Sequence, residues 1–547
     1  MSVSGRDQDA PALTAAPSGT SEHRRAKRAG LVVLAAAVLF FCYWRQSQSV
    51  PLGSDGSSNV LQAWAMLHGN LLLHNWWVSD VSFYTTELPQ YALITAVLGL
   101  STSVVHVAAA MTYTLLVLLA AALAKGRAPG WRGRAGLARA LLAAGIMLAP
   151  QLTATGIVLL SPDHTGTAVP VLLTWLVIDR AGPRTARLVP IVVCAILTWT
   201  MVADSVVLVT CIAPLVLVCA LRACLRLRRG GERPELKWPE PRWYEPSLAG
   251  AAAVAAVLGL VLPRAITALG GYRESPLGTR VAPISQLPHG IGVTFQAALE
   301  LFGANVFNAK SAPQFVFAVL HLAGVALVIW GLIIAARQFF RSGDLLVPVF
   351  AVAIVLNAIA YLTSPHAVSI MGAREMAAVL PLGAVLAGRT LGDRILALER
   401  AARRWFRPAL ALVAAGYLAA LGYGAAQPAV PPANQPLAAW LVAHRLTYGL
   451  AGYWEANSTT LDSRGRVTVL AVARAGPDAL GPYQWETDDA GYVPSRHFAN
   501  FFVAGGADPL HDAQAAALNA FGPPQRIYHA DGYIILVWNA NLLKKLA

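Results

Sequence analysis

Charge is scarce in this chain. Only 13% of its 547 residues are Asp, Glu, Lys or Arg, 56% are hydrophobic, and the mean hydropathy is +0.54. That balance excludes an ordinary soluble protein, in which about 25% of residues are charged. Cysteine is also rare. Cys42, Cys194, Cys211, Cys219 and Cys224 lie in or beside apolar runs, so they suggest neither a disulfide framework nor a metal cluster. The chain lacks a Walker-type phosphate loop and any Ser-His-Asp spacing, which removes nucleotide-driven transport and triad hydrolysis.

What the chain has is apolar length. Eleven charge-poor segments approach the roughly 20 residues that cross a hydrocarbon core: 29–46, 104–124, 140–160, 165–179, 188–202, 205–221, 246–263, 314–336, 345–363, 375–390 and 408–426. The net charge of +14 then acquires a membrane explanation. Of the 42 Lys and Arg, 28 fall in the N-terminal tail and in alternate connections (125–139, 179–187, 222–243, 337–343 and 389–407). By the positive-inside rule the N-terminus is cytoplasmic and the C-terminus is outside, in a multi-pass plasma-membrane protein. The basic residues need no nucleic acid to account for them. Gln90 to Ala124 is too long for one span and short for two, so residues 88–100 are assigned to an interfacial or re-entrant segment before the true span.

Composition also marks the domain boundaries. Residues 1–28 read as a disordered basic cytoplasmic tail, with no convincing signal cleavage site, and 29–426 as the transmembrane domain. Residues 427–436, QPAVPPANQP, read as a stiff linker. Residues 437–547 mix charged, aromatic and turn residues, with helical stretches at 437–457 and 509–521 and strands at 466–473 and 533–538. The expected fold class is therefore an α-helical polytopic membrane protein with a small extracytoplasmic α/β domain. That domain is expected to fold independently and to assist acceptor recognition.

Polar residues collect on the outer face. The first outer loop carries Asp55, His68, His74, Asp80 and Glu87, and the second Asp163 and His164. Asp204 follows the fifth span. Arg273, Glu274, Arg280, His289 and Glu300 lie in the long loop after the seventh, and His366, Arg374 and Glu375 in the next outer loop. Carboxylates can activate a hydroxyl or hold a divalent metal, and arginine can grip a phosphate with two parallel hydrogen bonds. Bland readings stand beside these: Asp55 as a helix N-cap, Asp204 as a helix terminator, the histidines as hydrogen-bonded loop residues, Arg374 and Glu375 as a weak surface pair.

The pattern of Asp55, Ala63, Ala65, Gly69 and Asn70, followed by Phe83-Tyr84-Thr85-Thr86-Glu87-Leu88-Pro89, resembles the first outer loop of the GT-C superfamily. Those are polytopic glycosyltransferases, among them the aminoarabinose and protein mannosyl transferases, that take sugars from polyprenyl-phosphate donors. The resemblance covers the first 180 residues best. Asp55 is followed by Gly56 where many members carry a second acid, and the second outer loop has Asp163-His164 rather than paired acids. The Ala-, Arg- and Gly-rich usage resembles that of a high-GC actinobacterial protein.

The resemblance implies a membrane glycosyltransferase moving a sugar from a polyprenyl-phosphate donor to a glycan, lipid or protein acceptor in the envelope. Asp55 and Asp163 are the implied catalytic carboxylates, Asp55 as general base and Asp163 orienting the acceptor or a metal. Glu87, His164, Arg273, Arg280, His289 and Arg374 are candidates for binding substrate, the arginines through the donor phosphate. No cofactor is required by these residues; a divalent Mg or Mn is the one they leave open. A secondary transporter, a lipid flippase and an envelope-assembly scaffold are the alternative readings.

Overall fold

The computed structural model describes residues 19–127, 133–160, 164–228, 243–275, 281–339, 343–505 and 512–547. Among them, six helices are long and apolar enough to cross a membrane: Ala29–Ser47, Ser103–Lys125, Leu208–Leu225, Tyr244–Ala268, Ala312–Gln338 and Arg404–Ala425. Two bent pairs, Arg134–Met147 with Leu152–Leu159 and Ile370–Met376 with Val379–Ala401, raise this to eight. The other three apolar segments fall on the shorter helices Ala168–Arg180, Val189–Ala203 and Leu346–Leu362. A helix of 13 residues rises only about 20 Å. Neighbours enclose the first of these: Trp175 is fully buried and meets Phe350 edge-on at 5.7 Å.

The helix Glu87–Leu98 is too short to cross and keeps Leu93 and Val97 exposed, as an interfacial helix should. Gly99 stops it at φ 66°, a conformation that favours glycine, and the next span starts at Ser103.

The bend of 76° after Met147 is the best-supported break in the helical domain. Pro150 cannot continue a helix, and the last turn leaves carbonyls without intrahelical donors. Each of four successive carbonyls is met by a side chain from another element. Tyr113 donates to Met147 O (2.9 Å), Tyr43 to Leu148 O (2.8 Å), and Gln46 to Pro150 O (2.9 Å), while His321 Nε2 lies 2.8 Å from Ala149 O. Irregular backbone inside a membrane domain is tolerated on this condition. The break delivers the chain to His164 at one end of the bundle.

The opposite end gathers the basic connections. Asp179, at the far end of the helix that begins just after His164, and Asp344 both accept hydrogen bonds from the buried Arg389. Arg139 pairs with Asp393, and Arg222 with Glu245.

Residues 437–547 form a six-stranded mixed sheet in the spatial order Leu480–Pro482, Thr468–Arg474, Tyr448–Ala451, Phe501–Ala504, Tyr533–Val537, Arg526–Ala530. Alternation fills both faces: Phe501 and Val503 pack on one side with helix Tyr453–Asp462, Phe502 and Ala504 on the other with helix Ala513–Phe521. This domain does not stand apart from the membrane part. A second, three-stranded sheet has Trp76–Val78 of the first outer loop at its centre, with Arg273–Glu274 parallel on one side and Thr487–Asp488 of the C-terminal domain antiparallel on the other. Ser275 Oγ lies within hydrogen-bond reach of both Val78 O (2.8 Å) and Gln484 O (2.6 Å), between the same three segments.

Candidate active site

Asp55 is the second residue of helix Ser54–Leu67, which starts just after Pro51 turns the chain out of the first span. Gly53 occupies the N-cap position, and no side chain caps the helix. The carboxylate is therefore not held by a capping role. It lies in the first turn of that helix.

Two contacts define it. Arg374 Nη1 donates to Asp55 Oδ2 at 3.4 Å, and the Tyr453 hydroxyl lies against Oδ1. The same hydroxyl also meets Oε2 of the buried Glu486. Close approach of two small-residue surfaces makes this array. Ser54 Oγ donates to Tyr453 O (2.7 Å), Ser58 Oγ to Glu486 O (3.4 Å) and Asn457 Nδ2 to Glu486 O (3.0 Å), so the outer-loop helix and the C-terminal domain share backbone acceptors.

His164 forms the second half of the site. Its Nδ1 lies 2.7 Å from Asp204 Oδ2 and its Nε2 2.8 Å from Glu375 Oε2. A neutral imidazole carries one N–H and cannot donate to two carboxylates, so this geometry calls for imidazolium. Burial alone would push the ring's pKa down, but Asp204 and Glu375 outweigh it and hold it well above the ordinary histidine range. His164 adopts φ 48°, and Asp204 is fixed in turn by accepting Val206 N at 2.9 Å. Glu375 adjoins Arg374, so the chain itself links the imidazolium cluster to the Asp55 pair.

Glu87 sits beneath this cluster. Its Oε2 accepts from Thr86 Oγ1, while Oε1 is buried with no hydrogen-bond partner among the described residues. Burial raises its pKa to about 8; the Thr86 bond opposes the shift and nearby Asp204 adds to it. Gly166 makes room for it, since a Cβ there would collide with the carboxyl. Asp80 is also raised, by burial and by Glu375, with His164 and His366 pulling the other way.

The remaining candidates are placed elsewhere or not described. Arg273 pairs with Asp489 at 3.3 Å and stacks over Trp77 at 5.2 Å, on the three-stranded sheet. His289 is exposed, its Nε2 3.4 Å from Val368 O. Asp163 and Arg280 lie outside the described residues. No group of three or more His, Cys, Asp or Glu among the described residues is arranged to hold a metal. Tyr453 and Glu486 were not legible in the sequence, because nothing local marks a tyrosine that reaches a loop 398 positions away. Beside the site, helices Val189–Ala203 and Tyr244–Ala268 flank an open apolar cavity of about 670 Å³ whose lining includes Tyr84, Thr85, Trp199 and Leu258.

No family model matches the sequence, and no curated protein does. Among solved structures, the chain is similar to the crystal structure of ArnT from Cupriavidus metallidurans bound to undecaprenyl phosphate. The TM-score is 0.54 at 14% identity, over 94% of this chain and 99% of that one. The chain has the ArnT fold. The apo structure of the same ArnT also matches, with TM-score 0.40 at 14% identity over 96% and 99% of the two chains. The first likeness agrees with the expected polytopic helical fold with a C-terminal α/β domain. The ArnT likeness runs through both parts of the chain, which agrees with the strand pairing that joins them.

Proposed function

We propose that this protein is a membrane glycosyltransferase that moves a sugar from a polyprenyl-phosphate donor to an envelope acceptor. The observation that carries this reading is the Asp55–Arg374 contact at the membrane end where outer loops and C-terminal domain converge. The fold likeness to a protein crystallised with undecaprenyl phosphate supports it. By the distribution of Lys and Arg, that end faces outside and the N-terminus lies in the cytoplasm.

In this mechanism the polyprenyl chain lies in the open apolar cavity lined in part by Tyr84 and Thr85. Arg374 binds the donor phosphate, its planar fork suited to two phosphate oxygens, and so brings the anomeric carbon beside Asp55. The acceptor hydroxyl oxygen forms the new bond to that carbon as the carbon–oxygen bond to phosphate breaks. The lipid phosphate leaves with the bonding pair, and Asp55 takes the hydroxyl proton. The His164 imidazolium orders Asp204 and Glu375 and so fixes the segment that carries Arg374. Glycan, lipid and protein acceptors all present the hydroxyl this chemistry needs.

The test is Asp55→Asn in purified, nanodisc-embedded protein supplied with a panel of radiolabelled polyprenyl-phosphate sugars. Transfer should fall roughly 10²- to 10⁴-fold, the usual contribution of a general base. Stability should fall by only about 0.3–1 kcal/mol, the helix-dipole contribution of a first-turn carboxylate. Wild-type transfer by Asp55→Asn would remove the central residue and put the transporter or scaffold reading ahead.

A further inference from the structure

One hydroxyl proton lies between two carboxylates. The Tyr453 oxygen is within hydrogen-bond reach of both Asp55 Oδ1 and Glu486 Oε2, yet a phenol can donate only once. With both carboxylates ionised, one of the two contacts has no proton in it. Adding a proton to either acid closes that contact, because a protonated carboxyl can donate to the phenol oxygen while the phenol donates onward. The array therefore gains a hydrogen bond by accepting the proton that a base must remove from an acceptor hydroxyl.

We propose that Tyr453 and Glu486 of the C-terminal domain are proton-relay positioning residues for Asp55, an inference that rests on the glycosyl-transfer reading. Asp55 takes the acceptor proton. The protonated carboxyl then passes a proton to the Tyr453 oxygen as the original phenol proton moves to Glu486. The result is an ionised Asp55, an intact tyrosine and a protonated Glu486, with no net change in protons. The same path, run backwards, discharges Glu486 to water admitted when product leaves. The tyrosine acts as a conduit and not as a base, since burial and the two carboxylates keep its hydroxyl protonated.

The placement is built to survive the test substitutions. Ser58 and Asn457 both donate to the backbone oxygen of Glu486, which fixes its backbone independently of its side chain. The Tyr453 ring is independently packed edge-on against Trp454 at 5.1 Å and Tyr483 at 5.5 Å. Among the described residues, charged and titratable groups facing the array include Arg374, from the segment before helix Val379–Ala401, and Tyr483, from the sheet domain.

Two measurements test the relay. In the first, the carboxylic-acid C=O band of the full-length protein is followed by infrared difference spectroscopy across a pH titration, with no substrate present. Wild type should show two separated steps that belong to the coupled pair; Tyr453→Phe should draw them together, and Glu486→Gln should leave a single step. In the second, turnover is measured with a radiolabelled short-chain polyprenyl-phosphate sugar and water or a simple alcohol as acceptor. Tyr453→Phe should lower kcat roughly 10²-fold, leave the donor KM unchanged and shift the pH–rate profile, while Glu486→Asp should restore part of what Glu486→Gln loses. Independent titration of the two acids in wild type, or wild-type kcat and pH profile in both variants, would overturn the relay. Coupled infrared steps without sugar transfer from any donor would instead count against the glycosyltransferase reading, and a normal transferase without coupling against the relay alone.

Discussion

Arg374 reaches Asp55 across 319 positions of sequence, its Nη1 3.4 Å from the Asp55 Oδ2. The contact joins the segment before a late helix to the first outer loop, and it is long for a charge-assisted hydrogen bond. At that length, in side chains 36% and 22% exposed, the pair adds little to stability. Its value lies in setting a cation and a base side by side.

Arg374→Lys keeps the charge and loses the planar fork. The donor KM should rise about tenfold, equivalent to losing about 1.5 kcal/mol of charged hydrogen bonding, with the melting temperature close to wild type. Steady-state kinetics alongside thermal unfolding in detergent will separate the two. An unchanged donor KM would take Arg374 out of phosphate binding.

His164 should make stability depend on pH. Its folded pKa is raised, so its contribution is fully present below the unfolded value of about 6.5 and is lost as pH climbs toward the higher folded value. The stability difference between wild type and His164→Gln should therefore be constant in mild acid and shrink progressively above neutrality. Thermal unfolding of both proteins from pH 5 to 9 gives the comparison; a difference that grows with pH would mean a neutral ring.

Glu87 loses stability in the same direction, but its favoured form is the neutral one. An acid raised from 4.5 to about 8 favours folding in its protonated form, so its contribution falls as pH rises across that interval. Glu87→Gln, permanently neutral, should gain on wild type between those values and be the more stable protein at pH 8. Gly166→Ala should destabilise by about 1–3 kcal/mol by forcing a methyl into the Glu87 carboxyl. Equal stability of Glu87→Gln and wild type across the whole range would show that the carboxyl is not buried as described.

Orientation in the membrane can be read with single cysteines. Ser495 is exposed on the C-terminal domain, so Ser495→Cys should react with an impermeant thiol reagent on intact cells, and Gly133→Cys, at the basic end, only after permeabilisation. Ser57 and Ser275 face the same side as Ser495 but are buried and would give misleading silence. Labelling at Gly133 from outside, with none at Ser495, would invert the assignment.

Composition alone determined that lipid is the solvent of this protein, because 13% charge cannot coat 547 residues in water. Periodicity and apolar length placed all eleven helical segments, since a membrane leaves the backbone no alternative to helix there. Asp55, His164, Glu87 and Arg374 were legible as outer-face polar residues in an otherwise apolar chain. Their partnerships were not. Asp204 and Glu375 became partners of His164, Arg374 became the partner of Asp55, and Tyr453 and Glu486 entered the site only through helix and strand packing between distant segments. Apolar burial is non-directional and leaves its mark in local composition. A hydrogen bond needs atoms within about 3 Å, and only the folded chain decides which distant side chains meet that condition.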